Sequence, residues 1–187
     1  KTEPNYFSGL RRELRLSNVN IKILNKTIGS DPLSVVNSAI AEFKKDQGYD
    51  MIYCVFDKDK HTTFSAAIDK ARNTHLKRKK GVAIHTIISV PCFEIWLLLH
   101  YKYTSKPFCV AGNDSNCAEV ESELKKYIPD YEKGNANIFE MVKSKIADAI
   151  KNAKLLGIYH QTSGTDNPST KVHELVEYLQ NLKSIHI

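Results

Sequence analysis

Two carboxylates, Asp57 and Asp59, stand directly after the apolar run MIYCVF of residues 51–56. Such a run is typical of a strand buried on both faces of a parallel sheet, and ligands bind at the carboxyl ends of these strands. Alternate residues of an extended segment point to the same side, so both carboxylates can face one site. Neighbouring carboxylates repel each other unless a proton or cation intervenes. Mg²⁺ takes oxygen ligands of this kind, so the pair indicates a metal site.

Other interpretations of the pair stay open. One is a solvated turn in which Lys58 and Lys60 offset the two charges. Another is an aspartyl nucleophile followed by a general acid, as in phosphatases of the haloacid-dehalogenase type. That motif expects Thr or Val two residues after the second aspartate, where this chain has His61, and its later Asp-Asp pair is not visible. A glycosyltransferase DxD has no further support in the sequence.

A third acid, Glu94, lies in SVPCFEIWLLLHY, residues 89–101. It follows a predicted strand and stands near the start of a very apolar helix. A carboxylate with apolar neighbours needs a partner if it is buried. The alternative is an acid at a helix N-terminus that the helix dipole stabilises. His100 lies further along the same helix on nearly the opposite side, and we interpret it as a core or boundary histidine in preference to a catalytic one.

Strands and helices that alternate as far as residue 103 must position these acids. The pattern predicts a parallel sheet with right-handed crossovers. We expect an α/β core over residues 1–105, and a helical C-terminal extension over 106–187 packed on the same domain. The predicted helices cover 5–16, 32–47, 63–76, 91–103 led by Pro91, 116–128, 135–156 and 168–183 led by Pro168, and the predicted strands cover 19–24, 51–56 and 82–89.

The composition is that of an ordinary globular protein, with 42% hydrophobic and 26% charged residues in 187. This length supports one domain with a proper core. The four cysteines form no CxxC pair, which argues against a structural zinc site. Cys54 and Cys92 fit buried reduced thiols, and only Cys109 and Cys117 are placed to pair, so we expect a cytoplasmic protein. No apolar run reaches membrane-spanning length, so no membrane partner is expected.

Basic residues outnumber acidic ones, and the formal net charge of +6 favours a polyanionic partner. Phosphate contacts supply most non-specific affinity for nucleic acids. For each basic cluster taken alone, a solvated surface is the simpler interpretation. No base-reading motif is present, so DNA and RNA are not distinguished. The candidate nucleic-acid contacts are Arg11, Lys58, Lys60, His61, Lys77, Arg78, Lys79 and Lys80.

Taken together, four segments resemble the RloB family, whose members occur in bacterial defence and abortive-infection loci. The first is similar to the end of the family's opening motif, the second to its aspartate motif, the third to its Cys-Phe-Glu-Leu-Trp-Leu segment, and the fourth to its C-terminal signature. They occur in the family's order. The segments are KTEPNYFSGLRREL, VFDKDKH, SVPCFEIWLLLHY and NPSTKVHELVEYL.

The resemblance implies a Toprim-like fold, in which acids at strand ends gather Mg²⁺ (or Mn²⁺) for phosphodiester cleavage. By that similarity Asp57 and Asp59 correspond to the DxD, and Glu3 to a second acid that helps to hold metal. Glu94 is a further candidate catalytic acid. The family's first strand and its Glu-Gly are expected just upstream of Lys1, outside this sequence.

The function implied by the resemblance is a metal-dependent nuclease, the effector of an anti-phage system. A partner ATPase of the AAA or ABC type, encoded nearby, is implied as well. The alternative is a non-catalytic Toprim-like adaptor that binds the ATPase or nucleic acid. A homo-oligomer is compatible with either function.

Overall fold

The computed structural model describes residues 2–16, 21–23, 31–58, 61–76, 81–108 and 116–185. In chain order the helices and strands are α1 (Thr2–Glu13), α2 (Pro32–Lys45), β1 (Ile52–Asp57), α3 (Phe64–Asn73), β2 (Ile84–Val90), α4 (Glu94–Leu99), α5 (Asn116–Leu124), α6 (Ile138–Val142), a 3₁₀ turn (Lys143–Lys145), α7 (Ile146–Ser163), β3 (Ser169–Thr170) and α8 (Val172–Ile185).

The sheet has three strands in the order β1-β2-β3. The two predicted strands that end near the acids are confirmed and run parallel, with Ile52 opposite Ile84 and Asp57 opposite Ser89. The third strand runs antiparallel to β2 and pairs Thr170 with Ser89. The sheet is therefore mixed, and the prediction of a purely parallel sheet is wrong for this edge.

The segment that supplies the third strand was predicted as the start of a helix led by Pro168. The helix begins only at Val172. Asn167, which precedes Pro168, does not cap a helix here. The Asn167 side-chain amide instead donates to the Phe108 carbonyl over 2.8 Å and accepts from the Phe108 N–H over 3.2 Å. Thr170 then accepts a hydrogen bond from the Val172 N–H.

The two faces of the sheet pack against different helices. Alternate side chains of β1 point to opposite faces: Cys54 and Phe56 join the apolar cluster under α2 and α3. Tyr53 and Val55 face the larger cluster that includes residues of α1 and α4. Asp57 continues the second set, so its carboxylate ends β1 on the face that α1 and α4 cover.

Helix starts follow the predicted chemistry in one case and depart from it in another. Pro32 opens α2, and the Asp31 side chain accepts from the Ser34 N–H over 3.1 Å, as expected of an N-cap. By contrast, Pro91 does not open the helix predicted over 91–103. The Val90–Pro91 peptide bond is cis, the chain bends there, and the helix covers only Glu94–Leu99.

Other predicted elements are shifted or divided. The helix predicted over 5–16 spans Thr2–Glu13 instead, and the one predicted over 116–128 ends at Leu124. The helix predicted over 135–156 is divided into α6, the 3₁₀ turn and α7. Of the strand predicted over 19–24, residues 21–23 form neither helix nor strand, and the remainder lies outside the described residues.

The larger core draws side chains from both ends of the chain. Tyr6 of α1, Trp96 of α4 and Val176 of α8 all belong to it and are fully buried. The division into a core over 1–105 and an extension over 106–187 stays a prediction. None of the helices in the described parts of the chain combines the length and apolar character that crossing a bilayer requires.

Three of the cysteines are described, and all are buried free thiols. Cys117, one of the two cysteines that the sequence left open to pair, is a free thiol in this structure. Cys109 itself lies outside the described residues. Burial raises the pKa of the Cys54 thiol to about 12, as expected of an unreactive core cysteine.

Candidate active site

Asp57 lies at the centre of a group of acidic side chains at the end of β1. Its side chain is partly buried, and the Phe93 backbone N–H acts to lower its pKa. Burial, and then the negative charges of Glu3 and Glu94, together raise the pKa of Asp57 to about 8. The positive charge of Lys133 opposes this rise. The charges of two acids that are far away in the sequence, Glu3 and Glu94, therefore both act on Asp57. We call Glu3, Asp57 and Glu94 the acid group.

Glu94 is the first residue of α4 and is only 2% exposed. The Tyr131 hydroxyl donates a hydrogen bond to Glu94 Oε1 over 2.7 Å. This bond supplies the partner that a buried carboxylate requires. Burial, and then the negative charge of Glu94, raise the pKa of the Tyr131 phenol above its ordinary value, so the phenol stays protonated and remains a donor.

Glu3 belongs to the first turn of α1, and residues of this turn form hydrogen bonds with the loop after Tyr131. The Thr2 hydroxyl accepts from the Gly134 N–H over 3.2 Å. The Asn5 amide donates to the Gly134 carbonyl over 2.8 Å. Gly134 has φ of 83°, a conformation that glycine adopts without steric cost. These contacts hold the beginning of α1 beside the acid group.

Lys133 brings a positive charge to the acid group from the same loop. Its Nζ lies 2.6 Å from Glu121 Oε1. Burial alone lowers the pKa of an ammonium group, but the hydrogen bond to Glu121 and the charge of Glu94 raise the pKa of Lys133 above its ordinary value. The ammonium therefore stays charged and is poised to attract an anion that approaches the acids.

The sequence named these three acids as site candidates but named neither Tyr131 nor Lys133. Both lie in YEKG between two predicted helices, and no metal-binding or catalytic pattern includes them. The one available signal was Gly134, which predicts a turn. Asp59, the second aspartate of the DxD, lies outside the described residues, so its place beside Asp57 stays a prediction.

The acid group suits a hard cation by its chemistry. Its donors are carboxylate oxygens, and a cation would relieve the repulsion that helps to raise the pKa of Asp57. Across the described ranges, which omit Asp59, no group of three or more His, Cys, Asp or Glu side chains is arranged to hold a metal ion. Mg²⁺ commonly takes only one or two protein carboxylates and completes its shell with water and substrate phosphates. The described acids therefore offer carboxylate oxygens of the kind that Mg²⁺ takes, but no set of three of them is arranged around one ion.

The candidate nucleic-acid contacts are dispersed. Lys58 forms an ion pair with Asp166 and lies over the Phe64 ring, with Nζ 5.8 Å from the centroid. His61 is exposed, and Arg11 on α1 is partly buried. The remaining candidates, which are Lys60, Lys77, Arg78, Lys79 and Lys80, lie outside the described residues.

His100 lies in the core, as the sequence suggested. It is 1% exposed, and its Nδ1 donates to the Trp96 carbonyl over 2.9 Å. Its ring packs edge-on against Trp96, with centroids 4.9 Å apart. Burial lowers the pKa of His100 to about 4, so it is neutral at physiological pH and contributes to packing.

Comparison with known proteins adds one positive finding. A sequence model of the RloB family, described as RloB-like protein, matches residues 1–179, nearly the whole chain. The match includes all three members of the acid group and the loop that contains Tyr131 and Lys133. Searches of curated proteins and of solved structures gave no match.

Proposed function

Because the chain belongs to the RloB-like family, we propose that it is a metal-dependent nuclease with a Toprim-like core. Its role is the effector of a bacterial anti-phage system that includes a partner ATPase. One observation supports the proposal: Asp57 ends a parallel strand, and the negative charges of Glu3 and Glu94 and the positive charge of Lys133 act on it there. Acids at such strand ends form ligand sites in α/β proteins.

In this proposal Asp57, Asp59 and Glu3 hold Mg²⁺ or Mn²⁺. When bound, the ion polarises a phosphodiester and stabilises the charge that develops during cleavage. Glu94 is held in place by the Tyr131 hydroxyl. Its negative charge acts on Asp57, and a divalent cation that carries twice the charge of a proton relieves this repulsion more strongly. The Lys133 ammonium attracts the phosphate and orients it toward the acids.

The direct test is a cleavage assay with the full-length protein, on plasmid DNA and on RNA, with Mg²⁺ or Mn²⁺. Asp57→Asn and Glu3→Gln should each reduce cleavage by about 100-fold or more, because each removes a metal ligand. Asp69→Asn provides a matched control, since Asp69 is exposed on α3. Cleavage by Asp57→Asn at the rate of the unaltered protein would refute the proposal.

The same variants distinguish the nuclease from the adaptor in cells. A nuclease effector whose acids are replaced should no longer protect bacteria from phage. If Asp57→Asn and Glu3→Gln protect as well as the unaltered protein, the chain acts as a non-catalytic adaptor. Calorimetric titration with Mn²⁺ supplies an independent measurement, since the adaptor does not require metal binding.

A further inference from the structure

One edge of β2 is only partly covered by the residues that the structure describes. Along its first edge β2 pairs with β1 from Ile84 to Ser89. Along its second edge β3 reaches only Ser89 and Val90. The Ser89 carbonyl accepts from the Lys58 N–H on the β1 side, and the Ile88 carbonyl accepts from the Lys171 N–H on the β3 side. Backbone groups alternate along a strand, so those of Ile84 and Thr86 also point to the second edge.

A cavity of about 420 Å³ runs along this open edge. Ile84 and Thr86 line it together with Arg72 from α3, Lys171 just before α8 and Glu174 in the first turn of α8. Within the described residues, the backbone N–H and C=O groups of Ile84 and Thr86 have no hydrogen-bond partner on this edge. These groups are two residues apart and define a template for another strand.

The chemistry of this edge identifies its occupant. Regularly spaced N–H and C=O groups on one edge match an extended polypeptide backbone, which pairs with such edges by strand addition. The stretch from Ile84 to Ile87, which stops short of the Ile88 carbonyl already bonded to Lys171, is about 10 Å long at 3.3 Å per residue, enough to pair with about three residues of another strand. Arg72 and Lys171 make no ion pair with any other described residue, and Glu174 is the one acid that lines the cavity. The excess positive charge favours an acidic segment.

We propose that the open edge of β2 binds an extended, acidic polypeptide segment by β-strand addition. The segment adds a strand beside Ile84 and Thr86, in line with β3, between α3 and α8. Its backbone pairs with these two residues, and its carboxylates lie near Arg72 and Lys171. This binding does not depend on the acid group or on cleavage.

The test uses the unaltered full-length protein and the fluorescently labelled probe acetyl-Glu-Val-Thr-Val-Glu-amide, with binding measured by fluorescence anisotropy. Two further peptides carry N-methyl groups on the amides of residues 1, 3 and 5 or of residues 2 and 4. Only one of these alternate sets faces β2 in a paired strand. Methylating that set should weaken binding about tenfold or more, and methylating the other should change it by less than about twofold.

A variant in which the charge of Arg72 is reversed provides the second test of the proposal. Arg72→Glu should weaken the acidic probe about fivefold and strengthen acetyl-Lys-Val-Thr-Val-Lys-amide. Arg12→Glu, a matched change at an exposed position on α1, should leave both affinities unchanged. Circular dichroism establishes that both variants fold. The proposal is overturned if the acidic probe shows no saturable binding, if the two methylated peptides bind equally, or if Arg72→Glu leaves the preference for the acidic probe unchanged.

Discussion

The Tyr131 hydroxyl donates to Glu94 Oε1 over 2.7 Å and joins the loop after α5 to the first residue of α4. The acceptor is buried, so this single bond replaces part of the water that the carboxylate loses on folding. The same loop contains Lys133 and binds the start of α1 through Gly134. The loop after α5 thus connects Glu3, Glu94 and their counter-charge, although it contributes no acid to the group.

Tyr131→Phe should destabilise the protein by about 1.5–3 kcal/mol, because it leaves a buried carboxylate without its donor. The free energy of unfolding in urea measures this loss. Tyr127→Phe is the matched control, since Tyr127 is 39% exposed, and its effect should stay within about 0.5 kcal/mol. Equal effects of the two substitutions would show that the bond to Glu94 adds no stability.

Lys133→Met tests the counter-charge in the proposed nuclease. The substitution removes the positive charge that helps to lower the pKa of Asp57. It also removes the ammonium expected to attract phosphate, so cleavage should fall by about tenfold or more. Lys125→Met changes an exposed lysine in the turn after α5 and should leave cleavage unchanged. Wild-type rates in Lys133→Met would exclude a role for this lysine in cleavage.

His100 predicts how stability changes with pH. Burial lowers its pKa from 6.5 to about 4 in the folded protein. Between these two values the unfolded chain binds a proton that the folded protein does not, so stability falls as the pH falls through this window. Between pH 7 and pH 5 this residue should account for a loss of about 2 kcal/mol.

Urea unfolding of His100→Phe at both pH values measures this contribution, since the variant should lose about 2 kcal/mol less than the unaltered protein. His75→Gln, at an exposed position, should retain the wild-type dependence. An identical pH dependence in His100→Phe would mean that His100 takes up its proton in the folded state.

Two glycines in helices predict opposite effects of the same substitution. A Cβ added to Gly9 would lie 2.4 Å from Phe139 Cβ, whereas one added to Gly157 would meet nothing within 4 Å. Gly9→Ala should therefore destabilise the protein by about 1–3 kcal/mol through overpacking of α1 against α6. Gly157→Ala should stabilise it by about 0.5–1 kcal/mol through helix propensity. Thermal unfolding compares them directly, and a stabilising Gly9→Ala would contradict the close packing of these helices.

The parts of the fold that follow from local pattern were predictable. The apolar run before Asp57 predicted β1, and the Asp31 and Pro32 signals predicted the start of α2. The pattern failed where distant residues decide the structure. Ser169 and Thr170 form a strand because Ser89 and Val90 offer them an edge, and no periodicity within two residues announces such pairing.

In the candidate site, too, local sequence pattern points to some residues, and only contacts between distant residues point to the others. Glu94 was identified because an acid in an apolar helix is conspicuous, and Glu3 was identified through family resemblance. Tyr131 and Lys133 were not identified, because their roles depend on contacts with Glu94 and Glu121 that arise only in the folded chain. Short-range sequence can show which acid needs a partner, but it does not show which residue supplies it.

The contact between the first turn of α1 and the loop around Tyr131 has a consequence for synthesis of the chain. Thr2 and Tyr131 are 129 residues apart, and a ribosome needs on the order of ten seconds to add that many. Tyr6, Phe7 and Leu10 are buried in the folded protein, but the aromatic residues that pack on Tyr6 are added only later, Phe93 and Trp96 first and Phe139 last. The nascent chain therefore presents the aromatic face of α1 early and completes its cover late.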